Sequence, residues 1–164
     1  MSKWMVAAKR ADFQRISQEF GISPVLARII RNRDVVEDAD VRKFLHGTMD
    51  DLYAPELLKD MDKAVKMVTE GIKQQKRIRI ISDYDVDGVI SNYVLLKGLK
   101  RLGAQVDYQI PDRMKDGYGL NKNIIKKAKE DGIDMILTCD NGIAARNEIA
   151  YAKSMGMTVI VTDH

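Results

Sequence analysis

A single cysteine is present in the sequence, and no apolar run near its amino terminus has the length of a signal peptide or a membrane span. A single cysteine excludes an internal disulfide. The lack of a long apolar run favours a cytoplasmic location without a membrane partner. Internal repeats and low-complexity segments are also missing. Charge of one sign is not in strong excess either, because 27 lysines and arginines are balanced by 24 aspartates and glutamates. So small a basic excess permits a polyanionic partner but does not require one.

The residues that are present have the proportions of a globular protein. Hydrophobic residues make up 45% of the 164 residues, and charged residues make up 31%. A chain of this length and composition can bury a core, and we expect one domain with room for a small second one.

Two regions of different character follow one another along the chain. In residues 1–75 apolar residues recur at spacings of three and four, which predicts a helical amino-terminal region. From residue 76 the pattern changes to alternating strands and helices, the order that builds a parallel sheet. The predicted strands are 77–82, 105–110, 134–139 and 158–163, and the predicted helices lie near 89–102, 121–131 and 144–155. We therefore expect an α/β domain whose parallel sheet has flanking helices, over residues 76–164.

Acidic residues follow three of the four predicted strands. They are Asp83, Asp85 and Asp87 in the stretch RIRIISDYDVDGVIS, then Asp140, and finally Asp163 beside His164. Because the carboxyl ends of parallel strands lie on one edge of a sheet, we expect these side chains to converge there. Aspartate also suits turns and helix caps, which is the alternative explanation for any one of them. Carboxylates that lie close together repel one another unless a cation or a proton is among them, so the set as a whole predicts a metal site.

Two other chemistries use similar acidic loops. A calcium-binding EF-hand loop needs a glutamate at its twelfth position between two helices, but counting from Asp83 that position is Val94 and a strand precedes the loop. This mismatch excludes an EF-hand. The segment DVDGVI resembles the nucleophile loop of haloacid dehalogenase-type phosphatases, in which Asp85 would attack phosphorus and Asp87 would handle the proton. The position of Asp83 departs from that pattern, and this phosphatase stays as an alternative.

Three motifs in order account for more of the sequence. SDYDVDG, TCDNGI and VTDH resemble the first three motifs of the DHH phosphoesterases. Within that superfamily, the segments FGISPVLARIIRNR, VRKFLHG, LLKDMDKAV and IPDRMKDGYGL are similar to those of single-strand-specific DNA exonucleases. The resemblance runs from about Trp4 to His164. It implies an amino-terminal fragment of a 5′→3′ exonuclease of DNA repair and recombination, with a DHH domain truncated at the third motif.

The same resemblance implies a catalytic centre with two Mn²⁺ or Mg²⁺ ions. Asp85 and Asp87 would be ligands of the two ions, Asp140 the bridge between them, and His164 a ligand of the second ion. Asp83 would be a further ligand or would orient one. Asp163 would hold the imidazole of His164 in the correct tautomer. Because the family's second histidine and a later metal-binding aspartate are not in this sequence, we expect the fragment itself to be inactive.

The loop IPDRMKDGYGL follows the second predicted strand and carries Arg113 and Tyr118. By resemblance, Arg113 would contact phosphate at the 5′ end of single-stranded DNA, and Tyr118 would stack on a base or pack. A salt bridge from Arg113 to Asp112 or Asp116 is the alternative. A different function also stays open, in which the chain is a non-catalytic binding module that offers its helical region to a partner.

Overall fold

The computed structural model describes residue 3, residues 9–117 and residues 119–163. The chain divides into two compact units, Met1–Leu57 and Leu58–His164. This division falls earlier than the boundary between residues 75 and 76 predicted from the sequence. The helix Met61–Lys73 belongs to the second unit because its apolar side chains Ala64, Val68 and Ile72 pack on the sheet of that unit. The domain boundary stays a prediction.

The first unit is helical, as the spacing of apolar residues indicates. Its helices are α1 (Phe13–Phe20), α2 (Pro24–Asn32) and α3 (Asp38–His46), followed by the 3₁₀ helices Met49–Asp51 and Pro55–Leu57. The Ser23 hydroxyl accepts the Leu26 amide at 3.2 Å, and Pro24 occupies the first helical position, where a missing N–H costs nothing. The buried apolar side chains of these helices are Ile16, Ala27, Ile30 and Val41.

The second unit is a parallel sheet with helices on both faces. In chain order its elements are α4 (Met61–Lys73), β1 (Arg77–Ser82), α5 (Val86–Arg101), β2 (Gln105–Gln109), α6 (Lys122–Glu130), β3 (Met135–Cys139), α7 (Arg146–Ser154) and β4 (Thr158–Thr162). The strand order is β2-β1-β3-β4, and every neighbouring pair is parallel. The predicted α/β fold class, with a parallel sheet and flanking helices, is confirmed.

Each face of the sheet has its own core. Ile78 and Ile80 of β1 lie on the face that α4 and α5 cover, together with Leu137 of β3. Ile81 and Ile136 lie on the other face, against Ile124, Ile125 and Ala128 of α6 and Ala152 of α7. Five of the six residues of β1 and all five residues of β3 are buried, as expected for strands of a parallel sheet that helices cover on both faces.

One charged side chain is buried within this sheet. Arg79 of β1 donates from Nε and Nη2 to both carboxylate oxygens of Asp107 at 2.7 Å, and from Nη1 to Asp131 at 2.7 Å. These contacts raise the pKa of Arg79, and the guanidinium lowers the pKa of Asp131. The ion pairs join β1, β2 and the end of α6, so the charge is retained without leaving an unpaired buried group.

The central strand fixes where a ligand can bind. From β1 the chain passes through α5 to β2 on one side, and then through α6 to β3 on the other side of β1. In open parallel sheets ligands bind beyond the carboxyl ends of the strands, at the point where the strand order reverses. That point lies between the ends of β1 and β3. Among the described helices, none has both the length and the apolar character needed to cross a membrane.

Candidate metal centre at the carboxyl edge of the sheet

Three aspartates occupy equivalent positions at the carboxyl edge. Ser82 pairs with Cys139, and Cys139 pairs with Thr162, so the last residues of β1, β3 and β4 are in register. Asp83, Asp140 and Asp163 are the residues that follow them directly. Neighbouring strands lie about 4.8 Å apart, which brings these positions close together although they are far apart in sequence.

Asp83 is completely buried at the strand-order reversal. Its relative exposure is 0%, and neither of its carboxylate oxygens has a hydrogen-bond partner among the described residues. A buried carboxylate without donors or a counter-ion is strongly unfavourable, and such groups in native proteins are usually paired or bind metal. This carboxylate therefore fits a divalent cation, and hard oxygen donors of this kind suit Mn²⁺ and Mg²⁺.

Asp85 and Asp87 lie at the start of α5. Asp85 is the N-cap, and its Oδ1 accepts the Gly88 amide at 3.0 Å, which leaves Oδ2 for another contact. Asp87 is exposed in the first turn. The helix begins at Val86 rather than near residue 89, because the cap and not the first apolar repeat sets its start. A Cβ on Gly88 would lie 2.4 Å from the Asp83 carbonyl oxygen, so glycine allows the helix to start this close to β1.

The turn after β3 is held by a side chain that the sequence reasoning missed. Asn141 is buried, and its Nδ2 donates to the carbonyl oxygens of Ile81 at 3.0 Å and Cys139 at 3.1 Å. It thereby joins the ends of β1 and β3 beside Asp140, whose backbone is left-handed with φ 59°. The Oδ1 of Asn141 is buried without a hydrogen-bond partner among the described residues. The signal for this role was an asparagine between an aspartate and a glycine at a strand end.

Asp163 connects β4 to the same turn. Its Oδ2 accepts the Ile143 amide at 2.8 Å, so its carboxylate holds the loop that begins with Asp140. A cleft of about 390 Å³ opens beside it, lined by α5 and by the ends of β3 and β4, including Asp140 and Asp163. The predicted partner His164 lies outside the described residues, so its orientation by Asp163 stays a prediction.

Cys139 lines the same cleft but is a poor nucleophile. Burial, and after it the charge of Asp140, raise the pKa of the Cys139 thiol to about 11. The thiol is therefore protonated at neutral pH, whereas the thiolate is the form that attacks or binds metal.

The described residues do not by themselves form a metal-binding group. Within residues 9–117 and 119–163, no group of three or more histidine, cysteine, aspartate or glutamate side chains is arranged to hold a metal ion. The structure places all the predicted aspartates at the carboxyl edge, but Asp83 is buried whereas Asp85 and Asp87 are exposed on α5. The assignment of each one as a ligand stays a prediction.

Arg113 lies in the loop that follows β2 at the same edge. Its guanidinium carbon is 5.6 Å from the centre of the Tyr84 ring, and Arg113 forms no ion pair with Asp112 or Asp116. Those two carboxylates instead accept backbone amides of the loop itself. The salt bridge considered as an alternative for Arg113 is therefore not formed. Tyr118, the second residue predicted to contact nucleic acid, lies outside the described residues.

An open parallel sheet with acidic residues at its carboxyl edge defines a doubly wound α/β domain with a candidate cation site. The family model described as "DHH family, N-terminal domain" matches residues 77–164, and the chain belongs to this family. This confirms the resemblance of the three motifs to DHH phosphoesterases.

Particular relatives share a longer stretch of sequence. The single-stranded-DNA-specific exonuclease RecJ of Bacillus subtilis is 39% identical over 163 residues, which are 99% of this chain and 21% of that protein. RecJ of Escherichia coli is 31% identical over 144 residues, 87% of this chain and 24% of the relative. This chain thus spans about a quarter or less of the length of these curated relatives.

Solved structures of such proteins have the same fold. A crystal structure of exonuclease RecJ bound to manganese is 37% identical, with a TM-score of 0.63 over 69% of this chain and 29% of that chain. RecJ of Thermus thermophilus in complex with Mn²⁺ is 28% identical, with a TM-score of 0.60 over 93% of this chain and 20% of the other.

Proposed function

We propose that this chain forms the first part of a metal-dependent, single-strand-specific 5′→3′ DNA exonuclease that acts in DNA repair and recombination. The observation that carries the proposal is the buried carboxylate of Asp83, which has no hydrogen-bond partner in the described part of the chain and lies at the strand-order reversal. Membership of the DHH family and similarity to RecJ proteins support the same activity.

The residues that would hold the ions follow β1 and β3 at the carboxyl edge of the sheet. Asp85, Asp87 and Asp140 would be ligands, with Asp83 as a further ligand or an orienting group. Two ions at such a site supply a nucleophile at neutral pH and neutralise charge on the attacking and leaving oxygens. The solved RecJ structures that are similar to this chain contain Mn²⁺ or Mg²⁺, which supports the choice of these metals.

The chain's own groups would then position the site and the substrate. Asn141 fixes the ends of β1 and β3 relative to one another, and Asp163 fixes the turn after β3 through the Ile143 amide. Arg113 would bind the phosphate at the 5′ end of single-stranded DNA, and Tyr118 would contact a base. His164 would complete the ligands within this sequence, with Asp163 orienting its imidazole.

We further propose that these 164 residues alone have little or no nuclease activity. The described residues supply an incomplete metal-binding set, and the RecJ relatives are several times longer. Weak binding of metal, or binding of a single ion, is the expected behaviour of such a part.

A chimera tests the proposal. The chain replaces the aligned segment of Bacillus subtilis RecJ, and release of nucleotides from 5′-phosphorylated single-stranded DNA is measured with Mn²⁺. We expect the chimera to degrade the strand from its 5′ end, the isolated chain not to, and Asp140→Ala to abolish the activity of the chimera.

Two results would contradict this assignment. An Asp140→Ala chimera as active as the parent would show that the aspartates do not serve the reaction. Hydrolysis of a small phosphate monoester by the isolated chain, without cleavage of DNA, would instead favour the haloacid dehalogenase-type alternative.

A further inference from the structure

Tyr84 and Arg113 join two loops at the carboxyl edge. Tyr84 lies between Asp83 and Asp85 in the loop after β1, and Arg113 lies in the loop after β2. The paired residues Ile81 and Gln109 bring these two loops side by side. The Arg113 guanidinium carbon lies over the Tyr84 ring, 5.6 Å from its centre, within the range of a cation–π contact.

The two carboxylates in the loop that carries Arg113 accept hydrogen bonds from backbone amides of the same loop. Asp112 Oδ1 accepts the amides of Met114 at 2.9 Å and Lys115 at 3.2 Å, and Asp116 Oδ2 accepts the Asp112 amide at 2.9 Å. Both acids nearest in sequence to Arg113 therefore stabilise the turn and do not bind its side chain. Arg113 is exposed, and its partner within the described part of the chain is a neutral ring.

A ring is a suitable partner for an arginine that must bind an anion. An arginine stacked on an aromatic face keeps its N–H donors in the guanidinium plane, where they can form a bidentate contact with phosphate. A carboxylate partner would occupy those donors and cancel the charge. Stacking also limits the rotamers of a long side chain, so less conformational entropy is lost when the anion binds.

We propose that Tyr84 is a positioning residue that holds Arg113 for a terminal phosphate of single-stranded DNA. The proposal rests on the proposed function, because it assumes that Arg113 contacts that phosphate. It adds a second role to the loop SDYDVDG: the aspartates serve the metal, and the tyrosine between them orients the phosphate-binding arginine in the neighbouring loop.

The test measures preference for a terminal phosphate by the chain itself. Dissociation constants are measured by fluorescence anisotropy, with Mn²⁺, for one oligonucleotide labelled at its 3′ end and carrying either a 5′ phosphate or a 5′ hydroxyl. The quantity compared is the ratio of the two constants. The variants are Tyr84→Leu, Tyr84→Phe and Arg113→Ala. Tyr108→Leu is the control, because Tyr108 is a tyrosine of the same unit that has no cation over its ring in the described structure.

We expect the wild-type chain to prefer the 5′ phosphate and Arg113→Ala to lose that preference. Tyr84→Leu should lower the preference about two- to fivefold, the loss that an exposed cation–π contact predicts. Tyr84→Phe should retain it because the ring remains, and Tyr108→Leu should leave it unchanged. Affinity for the 5′-hydroxyl strand should be the same in all variants, and thermal unfolding checks that each one is folded.

The outcomes separate this proposal from the one on which it rests. If Arg113→Ala loses the preference and Tyr84→Leu keeps it, the role of Tyr84 is refuted while the phosphate contact stands. If Tyr84→Leu weakens binding of both strands equally, its role is structural, and the proposal is also refuted. If the wild-type chain shows no preference, or Arg113→Ala keeps it, the phosphate contact is wrong and the role of Tyr84 falls with it.

Discussion

At the scale of single residues, the environment of Asp83 is the most unusual feature of the second unit. Its carboxylate is buried without a hydrogen-bond partner among the described residues. Folding must remove this group from water, and nothing in the described part of the chain replaces the lost hydrogen bonds. Such a cost is typical of a residue retained for binding rather than for stability.

Substitution of Asp83 by asparagine should separate stability from metal binding. A neutral amide costs less to bury than an unpaired charge, so we expect the metal-free free energy of unfolding to rise by about 1–3 kcal/mol. The increase in stability that Mn²⁺ gives the wild-type chain should largely disappear in Asp83→Asn, because a ligand stabilises only through its affinity for the folded state. Thermal unfolding with Mn²⁺ and with a chelator measures both effects.

Glu70→Gln is the matched control for this substitution. Glu70 is an exposed acid on α4 of the same unit, and neutralising it should change neither quantity appreciably. An Asp83→Asn variant that unfolds earlier than wild type without metal, and responds to Mn²⁺ as wild type does, would refute this account of Asp83.

The sequence identified the acidic positions at this edge but not what holds them in place. Asp83, Asp85, Asp87, Asp140 and Asp163 were found because each follows a recognisable strand. Asn141 was missed because its role consists of two hydrogen bonds to carbonyl groups, one of them on a strand distant in sequence. The burial of Asp83 was also missed, since it depends on packing of the complete sheet.

At the scale of elements, α5 depends on its close approach to β1. A Cβ added to Gly88 would lie 2.4 Å from the Asp83 carbonyl oxygen and 2.9 Å from its amide nitrogen, and neither backbone atom can move freely. The same helix contains Gly98, where an added Cβ would meet no atom of the described structure within 4 Å. The lack of space beside β1 therefore requires a glycine at position 88, whereas no described atom near position 98 does.

Alanine substitutions at these two positions should have opposite effects. Gly88→Ala should destabilise the chain by about 1–3 kcal/mol, the usual cost of overpacking, and weaken binding of Mn²⁺ by displacing Asp85. Gly98→Ala should stabilise it by roughly 0.5–1 kcal/mol, because alanine loses less backbone entropy in a helix. Urea denaturation measures both, and equal effects of the two substitutions would contradict the close approach seen here.

The ion pairs of Arg79 predict a dependence of stability on pH. Arg79 lowers the pKa of Asp131. This carboxylate therefore stabilises the folded state fully at pH values above the ordinary aspartate pKa of about 4. The contribution is lost as the pH falls through the lower folded pKa. Asp131→Asn should therefore be less stable than wild type at neutral pH, and the difference should shrink in acid.

Chemical denaturation at a series of pH values measures this difference. Glu130→Gln is the control, because Glu130 is exposed and its contact with Lys126 is long, at 3.8 Å. A difference between wild type and Asp131→Asn that stays constant into acid would show that the contact with Arg79 does not stabilise the fold through charge.

Most elements of the second unit could be predicted from sequence, because β1 and β3 are rich in apolar residues and a glycine follows each of α5, α6 and α7. Gly103, Gly132 and Gly156 all have positive φ, as expected where a helix ends. The start of α5 was placed too late, since the apolar repeat was followed rather than the capping residue Asp85. The ion pairs of Arg79 could not be predicted, because Asp107 and Asp131 are remote from it in sequence.

At the scale of the whole molecule, the chain consists of two compact units. Residues 47–60 lie around the division between them, and all are exposed, with no secondary structure beyond two short 3₁₀ helices. Backbone of this kind is the usual site of first cleavage by a protease.

Limited proteolysis should therefore cut first within residues 47–60. We expect a stable product that starts near Leu58 and includes α4, identified by mass spectrometry. First cleavage near Gln75 would instead support the boundary predicted from the sequence, between residues 75 and 76. A catalytically inert protein of similar size with known cleavage sites serves as the control for protease activity.

The central position of β1 gives its two pairings loops of very different length. Pairing of Ile78 with Val106 closes a much shorter loop than pairing of Ile78 with Met135, and longer loops cost more chain entropy to close. Only the longer-range pairing brings the positions of Asp83 and Asp140 to one edge, so a chain that has joined only β1 and β2 has no cation site. We expect the pairing of β1 with β3 to form after the transition state, so a cation that binds this edge should slow unfolding far more than it accelerates folding.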